Sequence, residues 1–168
     1  LDKVKITSIL RYLGNGKIGG VMNYEAIFGI ANPAASLAWL GLIFLPRWKT
    51  FDRIVFFCLI PAFCFAYSSL VLVHFFRVEG GGFGSLAQVK ALFSSDPVLL
   101  AGWIHYLAFD LFVGRWMASE ADKAAISRLI QAPILVATFL FGPLGLLLFF
   151  ILKAALSSYD ILPGKTPS

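Results

Sequence analysis

Charge is scarce in this chain. Of its 168 residues only 14% are Asp, Glu, Lys or Arg, against about a quarter in a soluble domain, so a water-exposed globular surface is hard to build from it. Histidine and cysteine number two each. Cys58 and Cys64 lie inside one apolar run at a spacing that suits neither a disulfide framework nor a CxxC redox pair, and read as two small hydrophobes. Two histidines are too few for the His-rich iron centre of a membrane oxygenase, so no metal site is expected. GxSxG, P-loop, HExxH and dinucleotide fingerprints are all missing. The run from Gly80 to Gly84 lacks the Lys-Ser/Thr of a phosphate loop and reads as a flexible turn. No cofactor is required by any pattern in the sequence.

What the chain has instead is apolar length. Hydrophobic residues make up 59% and the mean hydropathy is +0.83. Four runs stand out, about 26–45, 54–76, 98–117 and 129–152. Each is near the 20 residues that cross a bilayer as a helix, and none shows the strict alternation of a barrel strand. The expectation is an all-α integral membrane protein, with four transmembrane helices in a bundle spanning 22–155. A short amphipathic segment, Ser85 to Phe93, follows the second helix, with Leu86, Val89 and Phe93 on one side. Residues 1–21 form a polar basic leader, either an added or upstream segment or the end of a processed precursor, and 156–168 a polar tail. The net charge of +5 comes from basic residues in the gaps between runs, which points to lipid headgroups rather than nucleic acid. Ser95-Asp96-Pro97 carries the capping residue and early proline of a helix start. Arg-Trp pairs close the first and third runs (Arg47-Trp48, Arg115-Trp116), as interfacial anchors or as a trace of duplication.

Inside a bilayer the informative residues are those that should not be there. The third run holds Trp103, His105, Tyr106, Asp110 and Arg115. A charge near the bilayer centre costs at least about 2.5 kcal/mol, so Asp110 must be protonated, paired or beside a polar cavity. At about 100° per residue, Asp110 shares a stripe with Trp103, Tyr106 and Gly114, whereas His105 lies about 140° away. The two are not a dyad on their own helix. Counting about 1.5 Å per residue along the antiparallel second helix brings Tyr67 and Ser68 to the depth of His105. Asp110 is expected to face protein, with Asn32 or Thr138 as partner and Arg115 a weaker one, and Leu107, Leu111 and Phe112 are expected to face lipid. A purely structural interhelical hydrogen bond stands beside the functional reading of Asp110, and His74 reads as an interfacial histidine.

Prolines supply a second kind of polar site. Pro61 frees the carbonyl of Phe57, and Pro143 that of Phe139; each needs another donor at membrane depth. Gly142-Pro143-Leu144-Gly145 also lets a helix or a flat ligand approach closely.

With GWIHYLAFDLFVGRW (102–116) followed by QAPILVATFLFGPLGLLLF (131–149), the chain resembles the abscisic-acid-deficient-four family, also called neoxanthin-synthase-like, over about 24–155. The resemblance implies a four-helix membrane protein of a bacterial inner, photosynthetic or plastid membrane. In plants this family is required for converting violaxanthin to neoxanthin, an epoxide-to-allene isomerisation. It marks Trp103, His105, Asp110 and Arg115 as the positions matching the family block. Epoxide opening needs an acid and proton abstraction a base. The candidate catalytic residues are therefore His105 and Asp110, and the candidate ligand-binding residues Trp103, Tyr106, Arg115, Tyr67 and Pro143, for a metal-free carotenoid isomerase or carotenoid-binding protein. The alternative is a non-catalytic subunit of a larger photosynthetic or respiratory complex, holding carotenoid, chlorophyll or lipid. Its 17 Phe, 5 Tyr and 4 Trp suit flat polyenes as well as they suit lipid.

Overall fold

The computed structural model describes residues 23–45 and 48–160. Within them are six helices and no strand. Helix α1 is Tyr24–Phe44; α2 runs continuously over Lys49–Arg77; α3 is Leu86–Phe93; α4 is Asp96–Lys123; α5 is Arg128–Phe141; and α6 is Pro143–Asp160. The leader (1–21), Pro46-Arg47 of the first Arg-Trp pair, and the tail beyond Asp160 lie outside the described residues.

Local chemistry sets the helix starts. Asn23 accepts from the amide of Ala26 at 3.1 Å, and Ser85 from that of Gln88 at 3.3 Å. The Gln88 amide oxygen reaches back to the Gly84 N–H at 2.9 Å, which ties the glycine turn to α3. Ser95 precedes α4 as expected but makes no side-chain cap. The residue that anchors α3 to the rest of the protein is Leu92, 2% exposed, while Leu86 and Phe93 of the expected apolar stripe stay exposed.

Three helices, α1, α2 and α4, are long and apolar enough to cross a membrane. The expected fourth crossing is not a single helix. It divides at Gly142, whose φ of 45° and ψ of −95° lie where residues with a Cβ are strained. The chain then doubles back. From its start α5 runs against α4: Gln131 donates to Asp122 at 2.9 Å, Thr138 meets the Met117 sulfur at 3.7 Å, and Gly142 reaches Asp110. Along α6 the order reverses, with Phe149 against Trp116 at 5.7 Å between ring centroids and Lys153 at 3.5 Å from Glu120. Helices α5 and α6 are therefore an antiparallel hairpin whose two open ends lie beside the C-terminal end of α4 and whose tip stops at its middle. Gly145 makes the turn possible, because a Cβ there would collide with the backbone of Thr138. At about 1.5 Å per residue, the 14 residues of α5 extend only about 21 Å, short of the ~30 Å hydrocarbon core.

The core lies around α4. Trp39 of α1, 1% exposed, is wedged over Gly114, where no Cβ would fit. Ile104 and Leu111 are sealed completely. The expectation that Leu107 and Leu111 face lipid is overturned, because α4 is enclosed by α1, α2 and the hairpin. Its outward apolar residues include Leu99, Trp103, Phe109 and Phe112, the last as expected.

Candidate functional site

Each polar residue of α4 meets a different neighbour. On the face toward α1 and the hairpin, Trp103 donates its indole N–H to Asn32 Oδ1 at 2.7 Å. One turn on, the Tyr106 hydroxyl donates to the carbonyl of Phe139 at 3.1 Å, the carbonyl that Pro143 leaves without its helical donor. The Trp103 and Tyr106 rings lie 5.5 Å apart and 30° from parallel. A further turn on, Asp110 abuts the hairpin tip, and a Cβ on Gly142 would sit 2.8 Å from its Oδ2. Only glycine lets the turn approach the carboxyl so closely. Pro143 acts through backbone geometry at this tip.

Asp110 thus faces protein, but neither expected partner serves it. Asn32 is bonded to Trp103, and Thr138 returns its hydroxyl proton to Ile134 O at 2.8 Å. Asp110 Oδ2 is buried and has no hydrogen-bond partner among the described residues. Arg115 is not its partner either. It forms a two-pronged pair with Asp52 of α2, Nε to Oδ1 at 2.6 Å and Nη2 to Oδ2 at 2.7 Å, under which the Phe56 ring lies 4.3 Å from the guanidinium carbon. This pair fastens α2 to α4 near their shared end. Asp52 is a residue that sequence reasoning missed. The signal that could have found it is depth, since it lies in the first turn of α2, at the end that packs beside Arg115.

The opposite face of α4 carries His105. Its ring stacks on Phe109 at 4.4 Å and approaches Tyr67 of α2 at 5.4 Å, at the depth that residue counting gives. Both line a groove of about 490 Å³ between α2, α3 and α4, walled by Phe75, Phe83 and Phe93. His105 and Asp110 are not brought to one site. His74 bonds the Tyr24 hydroxyl at 3.2 Å. Trp116, expected as an interfacial anchor, packs on Phe149 and Phe150 of the hairpin. Among the described residues no three His, Cys, Asp or Glu side chains gather where a metal ion could be held.

Three apolar helices around ionisable side chains and a half-length hairpin define a helical integral membrane protein. Its sequence carries the finer assignment. The chain belongs to the ABA4-like (ABA DEFICIENT 4-like) family, whose sequence model matches residues 26–149, as the block around Trp103 to Trp116 implied. No curated protein and no solved structure matches it.

Proposed function

We propose that this protein binds a carotenoid carrying an epoxide and isomerises it by proton transfer, with the oxygenated end group held at Asp110. The observation that carries this reading is the buried, unbonded carboxylate oxygen at the middle of α4, next to a hydroxyl and an indole on the same face. Because the hairpin stops at Asp110, only α1 borders the outer half of that face, through Asn32 and Phe28 against Trp103. Trp103 stays 42% exposed and Phe28 40% exposed, which gives a flat end group aromatic surface to stack on.

The roles differ from those the sequence suggested. His105 points to another face, so acid and base must both come from the Asp110 side, with Tyr106 one turn away. The carboxylate takes a proton from the chain carbon next to the epoxide-bearing carbon. The electrons of that C–H bond form the new double bond as the epoxide C–O bond breaks, and a proton is returned to the oxygen as a hydroxyl. One proton leaves and one is added, so neither metal nor nucleotide is called for. A carotenoid substrate implies a pigment-containing membrane.

The test is turnover of violaxanthin by purified protein in lipid. Wild type is expected to convert it and Asp110→Asn to lose at least a hundredfold in rate, as removal of a general acid–base does. Equal turnover by the two would remove Asp110 from the mechanism. No turnover of any xanthophyll, together with native-gel migration in a large pigmented complex, would favour the alternative of a non-catalytic subunit holding pigment or lipid.

A further inference from the structure

We propose a second binding site, independent of Asp110: the groove between α2, α3 and α4 holds the head of a quinone-type lipid, bonded through His105 and Tyr67. Four observations lead there. The first is chemical. Neither the His105 ring nor the Tyr67 hydroxyl makes a hydrogen bond to any described residue, although both lie within helices apolar enough to cross a membrane. A polar group in hydrocarbon is costly without a partner, and an acyl chain supplies none. The second is charge. Among the described residues no Lys, Arg, Asp or Glu lines the groove, so nothing described there would recognise a phosphate headgroup, and the occupant is neutral. The third is shape. Phe75 and Phe83 lie 5.2 Å apart and Phe93 lines the groove with them, an arrangement that accepts a flat ring. Its volume of about 490 Å³ is within the range of small-molecule sites. The fourth is the support behind the aromatic walls. The Phe83 turn is held to α3 by the Gly84–Gln88 bond, and Gly102 leaves space for Phe93, whose ring would lie 2.5 Å from a Cβ there. A neutral flat ring with carbonyl acceptors and an apolar tail satisfies all four: the carbonyls accept from the imidazole N–H and the phenol, and the tail leaves toward lipid.

The experiment is a titration of the full chain in nanodiscs with decylubiquinone, with a xanthophyll diol and phospholipid alone as separate arms. Saturable binding at one quinone per chain is expected. His105→Leu should weaken it at least tenfold and Tyr67→Phe several-fold, while Asp110→Asn leaves it unchanged. That last arm separates this site from the proposed isomerase site. Val71→Trp, which fills the groove one turn from Tyr67 and removes neither polar group, should also abolish binding, and thermal unfolding of each variant reports whether it is folded. Quinone affinity that His105→Leu and Val71→Trp both leave intact in folded protein would overturn the proposal. So would no binding above the phospholipid arm, or a xanthophyll that binds more tightly with the same dependence on His105.

Discussion

The second and the fourth apolar runs of this protein each contain a proline near their middle, and they fold differently. In α2, Pro61 follows Ile60 in ordinary helical geometry, and the helix absorbs the missing donor through a π-turn over Val55–Leu59, with Ile60 N–H bonded to Val55 O. The rod continues for 29 residues. In the last run, Pro143 follows Gly142, which takes a positive φ, and the chain reverses into a hairpin. Proline alone removes one hydrogen bond. A glycine before it, with Gly145 to admit the close return, turns that defect into a change of direction. The carbonyl freed by Pro143 is then satisfied from another helix, by Tyr106.

The most decisive way to break this comparison is topological. In a chain with Cys58 and Cys64 replaced, cysteines introduced at Ser127 and Ala155 should react with an impermeant thiol reagent from the same membrane face, and one at Glu79 from the other. A straight fourth crossing would move Ala155 to the Glu79 side. The next largest effect is at the turn. Gly142→Val, which adds a Cβ both at positive φ and against the Asp110 carboxyl, should cost about 3 kcal/mol in dodecyl-sulfate unfolding. Pro61→Ala should change stability by less than about 1 kcal/mol, since α2 is already continuous. If the two cost the same, the glycine is not what separates the runs.

Smaller effects sharpen the picture. Tyr106→Phe leaves the Phe139 carbonyl without a donor and should cost about 1–1.5 kcal/mol, near the upper end measured for hydrogen bonds between membrane helices. Asp52→Asn removes the charge opposite Arg115, but the Asp52 side chain is 45% exposed, so water screens the pair and the loss should be about 0.5–1 kcal/mol. His105→Leu should be nearly neutral for stability, within about 0.5 kcal/mol, because that ring bonds no described residue. A large loss there would mean that the His105 face, like the Asp110 face, glues helices together.

Much of the site is legible in the sequence as separate stripes. Helical periodicity puts His105 and Asp110 on different faces of α4, and depth counting puts Tyr67 beside His105. The need of the Phe139 carbonyl for a donor can be read from Pro143, though not that Tyr106 meets it. Asp52 escapes because charge pairing across 63 positions depends on how two helices slide past each other, which no local pattern records. Leu107 and Leu111 mislead for a related reason: an apolar residue reads the same whether lipid or another helix covers it.

The sequence by itself determined that the chain is helical and lives in a membrane, because twenty-residue apolar runs with few charges have no other stable partner and must satisfy their backbone internally. It also determined the family, through the block around Trp103 to Trp116 and the proline-glycine run after it. Only the tertiary structure decided how many of those runs cross, and which polar groups meet. Hydropathy measures the free energy of leaving water, and a half-length hairpin and a full crossing leave water equally well. What separates them is one backbone angle at Gly142 and the room that Asp110, Thr138 and Gly145 leave for the chain to return.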